Sequence, residues 1–77
     1  MENFIADVEK ITFRNESNYY TVAILNVDGE KITAVGTMPF LNEGDTAEFT
    51  GKMIFHQTYG EQLKVESFER KPPKNTA

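Results

Sequence analysis

Residues 46–68, with the sequence TAEFTGKMIFHQTYGEQLKVESF, decide the fold of this chain. In the first half, apolar residues and one glycine share a parity, and the polar residues Thr46, Glu48, Thr50 and Lys52 occupy the other, which is the period of a half-buried strand. That set comprises Ala47, Phe49, Gly51, Met53 and Phe55. Leu63 and Val65 alternate in the same way after residues 57–60, where Gly60 supplies a permissive backbone angle. These features predict a long β-hairpin on which the earlier strands pack.

The earlier chain also has strand character. Residues 4–14 have apolar residues at helical spacing too, but their alternation and β-branched content favour a strand. The apolar parity switches between Val8 and Ile11, which predicts a bulge that bends this strand. Residues 14–18 read as a polar loop, and 19–27 and 31–38 as strands joined by an Asp28-Gly29 turn. Residues 40–45 read as a turn segment too short for a helix.

This pattern predicts an all-β fold, a small five-stranded antiparallel OB-like Greek-key barrel over residues 1–69. A short loop would replace the usual helix between the third and fourth strands. Residues 70–77 contain proline and lysine and read as a linker to C-terminal domains that this chain lacks. A five-stranded SH3-like barrel remains the alternative, because patterning alone does not fix strand order.

The composition fits one small domain of 77 residues. The absence of cysteine excludes disulfides and thiolate metal sites. The beginning of the sequence has no basic region before an apolar stretch, and the longest aliphatic run is residues 22–25. We therefore expect a cytoplasmic protein with no membrane partner. The net charge of −4 argues against strong sequence-independent attraction to a polyphosphate.

Several short motifs resemble one known family. They are Phe13-Arg14-Asn15-Glu16, Tyr20-Thr21-Val22-Ala23, Val35-Gly36 followed by Pro39, Gly44, Gly51-Lys52 and residues 56–67, HQTYGEQLKVES. Together they resemble the N-terminal OB-type domain of long-form RecD-like bacterial DNA helicases, the RecD/TraA family of the exodeoxyribonuclease V alpha type. Two positions depart from that family. Tyr19 stands where the family usually has glycine, and Met53 stands where an aromatic residue is common.

The resemblance implies an accessory domain of an ATP-dependent helicase that acts in DNA repair and recombination. The helicase domains of the same parent chain would be its partners. ATP and Mg²⁺ would act in those absent domains, and this chain would hold no cofactor.

Catalysis by this chain alone is not expected. In a phosphate-binding loop, a glycine lies five residues before the Gly-Lys pair and a serine or threonine follows the lysine. Here Thr46 and Met53 occupy those positions, so Gly51 is interpreted as a strand glycine. His56 is the only histidine, which leaves no set of imidazole and thiolate ligands for a metal. The carboxylates of Glu43, Asp45 and Glu48 flank a turn and read as solvated.

Candidate nucleic-acid contacts fall in two predicted loops. OB barrels bind oligonucleotides across the second and third strands, between the loops that join strands one to two and four to five. Stacking on an aromatic side chain contributes about 1–3 kcal/mol per base. The candidates are Arg14, Asn15, Asn18, Tyr19, His56, Tyr59 and Lys64. Tyr59 fits a binding or a packing role, whereas Tyr20 is interpreted as a core residue. Lys10, Lys31 and Lys52 are interpreted as parts of solvated faces.

Two hypotheses follow. In the first, the domain contacts single-stranded DNA weakly beside the helicase. In the second, it docks on protein and touches no DNA. A third possibility, a barrel that only spaces other domains, also stays open. Basic and aromatic side chains converging on the barrel face would favour DNA, and an exposed apolar patch near residues 39–41 would favour docking.

Overall fold

The computed structural model describes residues 1–58 and 60–71 of the chain. These residues form five β-strands and no helix, which confirms the predicted all-β class. The strands are β1 (Glu2–Arg14), β2 (Tyr20–Val27), β3 (Glu30–Thr37), β4 (Thr46–His56) and β5 (Gly60–Lys71).

Strand β1 bends because two register shifts interrupt it. Its first half pairs with β4, from Glu2 opposite Gly51 to Asp7 opposite Thr46. Its second half pairs with β2. The shift between Val8 and Lys10 is the predicted bulge, and it lets one strand serve two sides of a barrel. A second shift, between Ile11 and Phe13, was not predicted from the sequence.

Both predicted hairpins are present. Asp28 and Gly29 have positive φ of 52° and 89°, as a two-residue hairpin turn with the twist of its flanking strands requires. The Asn26 side-chain oxygen accepts a hydrogen bond of 2.8 Å from the Gly29 amide. In the second hairpin Gly60 has φ 81°, which confirms its predicted role.

The strands close into a barrel in the order β1-β2-β3-β5-β4, with β4 pairing back to β1. Strands β3 and β5 are parallel, through Thr33 opposite Gln62 to Val35 opposite Lys64. This order is the OB-type arrangement, so the SH3-like alternative is wrong. Closure leaves few unpaired strand edges in a chain this small.

The core contains side chains from all five strands and from the β3–β4 connection. Its buried members are Ala6, Val8, Ala23, Leu25, Ala34, Met38, Leu41, Ala47, Phe49 and Leu63. Met38 and Leu41 come from the connection and are fully buried. The β3–β4 connection is a short loop, as predicted, and it takes the place of the helix that OB barrels usually have there. Its two buried side chains fill this end of the core.

Gly51 lies in β4 close to the backbone of β5. A Cβ atom built at this position would lie 2.1 Å from the Lys64 carbonyl oxygen, so no other residue fits without backbone movement. A register shift between Thr50 and Gly51 accompanies this contact. Gly51 is therefore a strand glycine, as predicted.

Two sequence expectations need correction. Phe55 shares the parity of the core residues but is 73% exposed, because it lies near the end of the β4–β5 hairpin, past the last buried residues of β4. The barrel also extends beyond residue 69, since Arg70 pairs with Ala47 and Lys71 with Thr46. Residues 72–77 of the predicted linker lie outside the described residues.

Candidate nucleic-acid interface

The barrel's outer surface contains two complete cross-strand rows. The first row runs Phe13, Val22, Val35, Lys64, Lys52 across β1, β2, β3, β5 and β4. The second runs Lys10, Ile24, Thr33, Gln62, Ile54 across the same strands. Because paired residues of a sheet point to the same side, the members of each row share the outer side of the barrel, and in the first row Val35 is nearly covered, at 7% exposure. We call these two rows, with Tyr20 and Thr37 beside the first, the outer face.

The outer face contains lysines and no carboxylate in either row. Within residues 1–58 and 60–71, ion pairs occupy Lys31, Arg70 and Lys71, at 3.1–3.6 Å from carboxylate oxygens. Lys10, Lys52 and Lys64 make no ion pair in this part of the chain, and all three lie in the two rows. Within the described residues, the lysines that make no ion pair thus all lie in these two rows, although the net charge of the protein is −4.

A groove of about 420 Å³ crosses this face. Tyr20 and Thr37 line one end, which adjoins the β1–β2 loop. Ile54 and His56 line the other end, near the β4–β5 hairpin tip. Gly36, Val35, Gln62, Lys64 and Val65 complete the lining. Apolar walls with a few polar groups and one ammonium suit a ligand that has flat apolar faces and anionic links.

The Arg14 side chain is occupied by hydrogen bonds within the protein. Its guanidinium donates to the Leu41 and Met38 carbonyl oxygens of the β3–β4 connection and, at 3.4 Å, to the Thr21 hydroxyl. Thr21 is fully buried and donates to the Tyr19 carbonyl at 2.9 Å. Charge-assisted hydrogen bonds to carbonyl oxygens hold the β3–β4 connection against the end of β1. These contacts give Arg14 a structural role, and its predicted contact with nucleic acid stays a prediction.

Asn15 and Asn18 shape the β1–β2 loop. The side-chain oxygen of Asn15 accepts from the Ser17 amide at 2.8 Å, and that of Asn18 accepts from the Tyr20 amide at 2.9 Å. Side-chain oxygens that bond to an amide two residues later are typical of tight polar turns. The loop is therefore ordered, and it fixes the entry of Tyr20 into β2.

Tyr19 has φ 61°, a left-handed conformation that only glycine adopts without cost. This explains why glycine suits this position in the family that the sequence resembles. The Tyr19 ring lies 6.4 Å from the ring of Phe40, which also has positive φ, at 68°. The two side chains are 44% and 73% exposed. Tyr19 is thus on the surface as predicted, but its ring faces Phe40 and is not part of the groove lining.

His56 and Lys64 are the two predicted candidates that the structure brings together in the groove. The Nδ1 atom of His56 accepts a hydrogen bond of 3.0 Å from the Thr58 amide, which fixes the direction of the ring. Lys64 lies opposite Lys52 in the neighbouring strand. Tyr59, the remaining candidate, lies outside the described residues.

Sequence reasoning missed four residues of this face. Tyr20 was assigned to the core but is 41% exposed and lines the groove. Both faces of β2 are apolar, so alternation does not show which parity is buried. The small residues Thr21 and Ala23 mark the inner parity, and they are the signal that was available. Phe13, Lys10 and Lys52 lie on the face because of register shifts and cross-strand pairing that one strand's sequence does not reveal.

No group of three or more potential metal-ligating His, Asp or Glu residues occurs in the described ranges. Residues 1–58 and 60–71 also contain no helix of the length and apolar character that crossing a membrane requires.

The closed strand order defines an OB-fold barrel, and a groove lined by residues of β2, β3, β4 and β5 lies on its surface. Residues 1–73 match the family described as the OB-fold domain of the ATP-dependent DNA helicase YrrC. The chain belongs to that family and is the OB-fold domain of a DNA helicase family member, a non-catalytic domain. No solved structure matches the chain significantly.

Proposed function

We propose that this domain binds single-stranded DNA weakly through its outer face, as an accessory domain of a RecD-like helicase. The parent protein would be a cytoplasmic bacterial enzyme of DNA repair and recombination, of the exodeoxyribonuclease V alpha type. ATP and Mg²⁺ would be used by its helicase domains, which lie outside this chain. Membership of the helicase family and the groove's position on the barrel support this proposal.

One observation carries the proposal: three lysines that make no ion pair within residues 1–58 and 60–71 lie in two carboxylate-free rows, and a groove lined by an aromatic ring crosses these rows. Ammonium groups would neutralise phosphates, and Tyr20 would stack on a base. With only a few phosphate contacts and a net charge of −4, binding is expected to be weak and sensitive to salt.

The test is a titration of a fluorescent 12-nucleotide single strand with the 77-residue chain at several salt concentrations. Two or three lysine–phosphate contacts predict a slope of log K against log salt of about −1.4 to −2, at about −0.7 per contact. Lys64→Gln should weaken binding about threefold or more and reduce the slope by about 0.7.

Lys71→Gln is the matched control, because it removes the same charge from the same strand. Lys71 is paired with Glu48 at 3.2 Å and lies outside both rows. The Lys71→Gln variant should bind DNA with an affinity within about twofold of that of the unmodified chain. Equal losses from Lys64→Gln and Lys71→Gln would indicate net charge alone and contradict a defined face. Absence of binding by the unmodified chain at low salt would reject DNA recognition by this domain.

A second candidate function, docking on protein, is favoured by the exposed ring pair of Tyr19 and Phe40. Both residues are held in left-handed conformations, and such strain clusters at functional sites. Leu41, in contrast, is fully buried and contributes nothing to such a patch.

The two functions separate experimentally. Phe40→Ser should leave DNA affinity unchanged. If the Tyr19–Phe40 pair docks on the helicase domains, Phe40→Ser should weaken binding of this chain to those domains expressed separately. Unchanged binding to the helicase domains would reject docking through this pair.

A further inference from the structure

Phe13 reaches the outer face because of the second bulge in β1. Ile11 packs against the core, and strict alternation would direct Phe13 inward as well. The register shift between Ile11 and Phe13 leaves Thr12 as an extra residue and reverses the parity. The Phe13 side chain is consequently 52% exposed, opposite Val22. An aromatic side chain that the core does not use thus lies in the row that contains Lys64.

Tyr20 is the diagonal neighbour of Phe13 on this face. Phe13 pairs with Val22, and Tyr20 lies two residues before Val22 on the same side of β2. Diagonal neighbours in an antiparallel pair are about 7–8 Å apart. Stacked bases are spaced about 3.4 Å, so two stacking contacts span about 7 Å. The spacing of the two residues therefore matches one flat base between two rings, with Val22 beneath it.

Hydrogen bonds fix the backbone at both positions. The Thr12 hydroxyl donates to the Val22 carbonyl at 3.1 Å, which ties the bulge to β2. The Tyr20 carbonyl accepts from the Asn15 amide, and the Tyr20 amide donates to the Asn18 side chain, both at 2.9 Å. Side chains on a fixed backbone lose less freedom when a ligand binds, which favours a defined subsite.

We propose that Phe13 and Tyr20 form a two-sided stacking subsite for one unpaired base of single-stranded DNA, with Val22 as its floor. This rests on the proposed function. Lys64 lies two strands from Val22 along the same row, about 10 Å away at the usual strand spacing. A long flexible ammonium side chain at that distance reaches the phosphate next to a base held in the subsite. The ligand is thus an unpaired nucleotide, because a base inside a duplex has both of its faces covered by its stacked neighbours.

The first experiment titrates the 77-residue chain with 12-nucleotide strands, each of which has one abasic position. If one base occupies the subsite, at least one abasic strand should bind about 5- to 100-fold more weakly than the complete strand. Phe13→Leu should weaken binding of the complete strand by a similar factor and remove its advantage over the abasic strand. Phe13→Tyr keeps a ring and should retain affinity within about twofold.

Phe40→Leu is the matched control, because it removes an exposed aromatic ring that is not on the outer face. It should change neither affinity nor the abasic penalty. A measurement that needs no variant is the NMR shift of the Val22 methyl groups. These should move upfield on binding of the complete strand, and less on binding of the abasic strand, since a stacked base shields the floor of the subsite.

The outcomes distinguish the subsite from the proposed function. If Lys64→Gln weakens binding but neither abasic positions nor Phe13→Leu do, the stacking subsite is rejected and DNA binding by the face stands. If only Tyr20→Leu weakens binding, the base has one aromatic wall and the two-sided subsite is rejected. If the unmodified chain binds no single strand at low salt, both proposals fail.

Discussion

Lys52 and Lys64 lie directly opposite each other in the β4–β5 ladder. Like charges in directly opposed positions destabilise a β-sheet. Neither lysine makes an ion pair within residues 1–58 and 60–71, so no direct carboxylate contact there neutralises either ammonium group. An anionic ligand on the outer face would relieve it, which links the stability of the hairpin to binding.

Lys52→Gln is therefore expected to stabilise the free domain while weakening its binding to DNA. Removal of the repulsion should raise the thermal midpoint by about 1–2 °C at low salt, and the gain should shrink in 1 M salt. Thermal unfolding followed by circular dichroism measures both effects. A lower midpoint at low salt would show that Lys52 makes a favourable contact and that the repulsion is not significant.

Gly51→Ala should destabilise the barrel strongly. The added methyl group would lie 2.1 Å from the Lys64 carbonyl oxygen, so β4 and β5 must separate. We expect a loss of about 3 kcal/mol or more in the free energy of unfolding, at the upper end of overpacking costs. Urea denaturation measures this loss.

Gly29→Ala is the comparison for Gly51→Ala, because nothing lies within 4 Å of its added Cβ. Its cost of about 1 kcal/mol comes only from the left-handed backbone at φ 89°. Equal costs at the two positions would contradict a steric role for Gly51.

Arg14→Leu should destabilise the fold by about 1–3 kcal/mol, because the Leu41 and Met38 carbonyl oxygens lose a charged donor. Arg14→Lys should recover only part of this loss, since a single ammonium cannot reproduce the several donors of the guanidinium. Chemical denaturation measures both variants. The folded Arg14→Lys protein should keep its DNA affinity if Arg14 is structural, and a large loss of affinity would assign Arg14 to the binding face instead.

The stability of the folded domain should decrease at acidic pH, because the Glu9 carboxylate becomes protonated. The hydrogen bond from Lys31, at 3.1 Å, and a second from Asn26, at 2.8 Å, lower the pKa of the Glu9 carboxyl below its ordinary 4.5. Because the folded pKa is the lower one, the unfolded chain binds more protons as the pH falls below about 4.5. The stabilisation is present above that pH and is lost as the pH falls through the folded pKa.

Glu9→Gln tests this dependence on pH. The thermal midpoint of the variant, measured from pH 6 to pH 3, should fall less steeply in acid than that of the unmodified protein. Parallel curves for the two proteins would show that other carboxylates account for the acid limb.

The local sequence determined the strands, the two hairpins and the first bulge of this protein. Alternation at period two, an Asp-Gly pair and a glycine at the hairpin loop act over a few residues, so they can be read without knowledge of the fold. The family resemblance also came from short motifs such as His56-Gln57-Thr58-Tyr59-Gly60, and the match over residues 1–73 confirms an OB-fold helicase domain.

Only the tertiary structure decided which side chains share a face. Lys10, Lys52 and Lys64 come from three strands, and pairing between distant segments places them in two neighbouring cross-strand rows. Tyr20 was wrongly interpreted as a core residue because β2 is apolar on both faces. Phe13 was missed because one extra residue reverses the parity of β1. Whether a side chain points inward depends on every bulge that precedes it in its strand and on which face of the sheet closes around the core. Long-range pairing sets both.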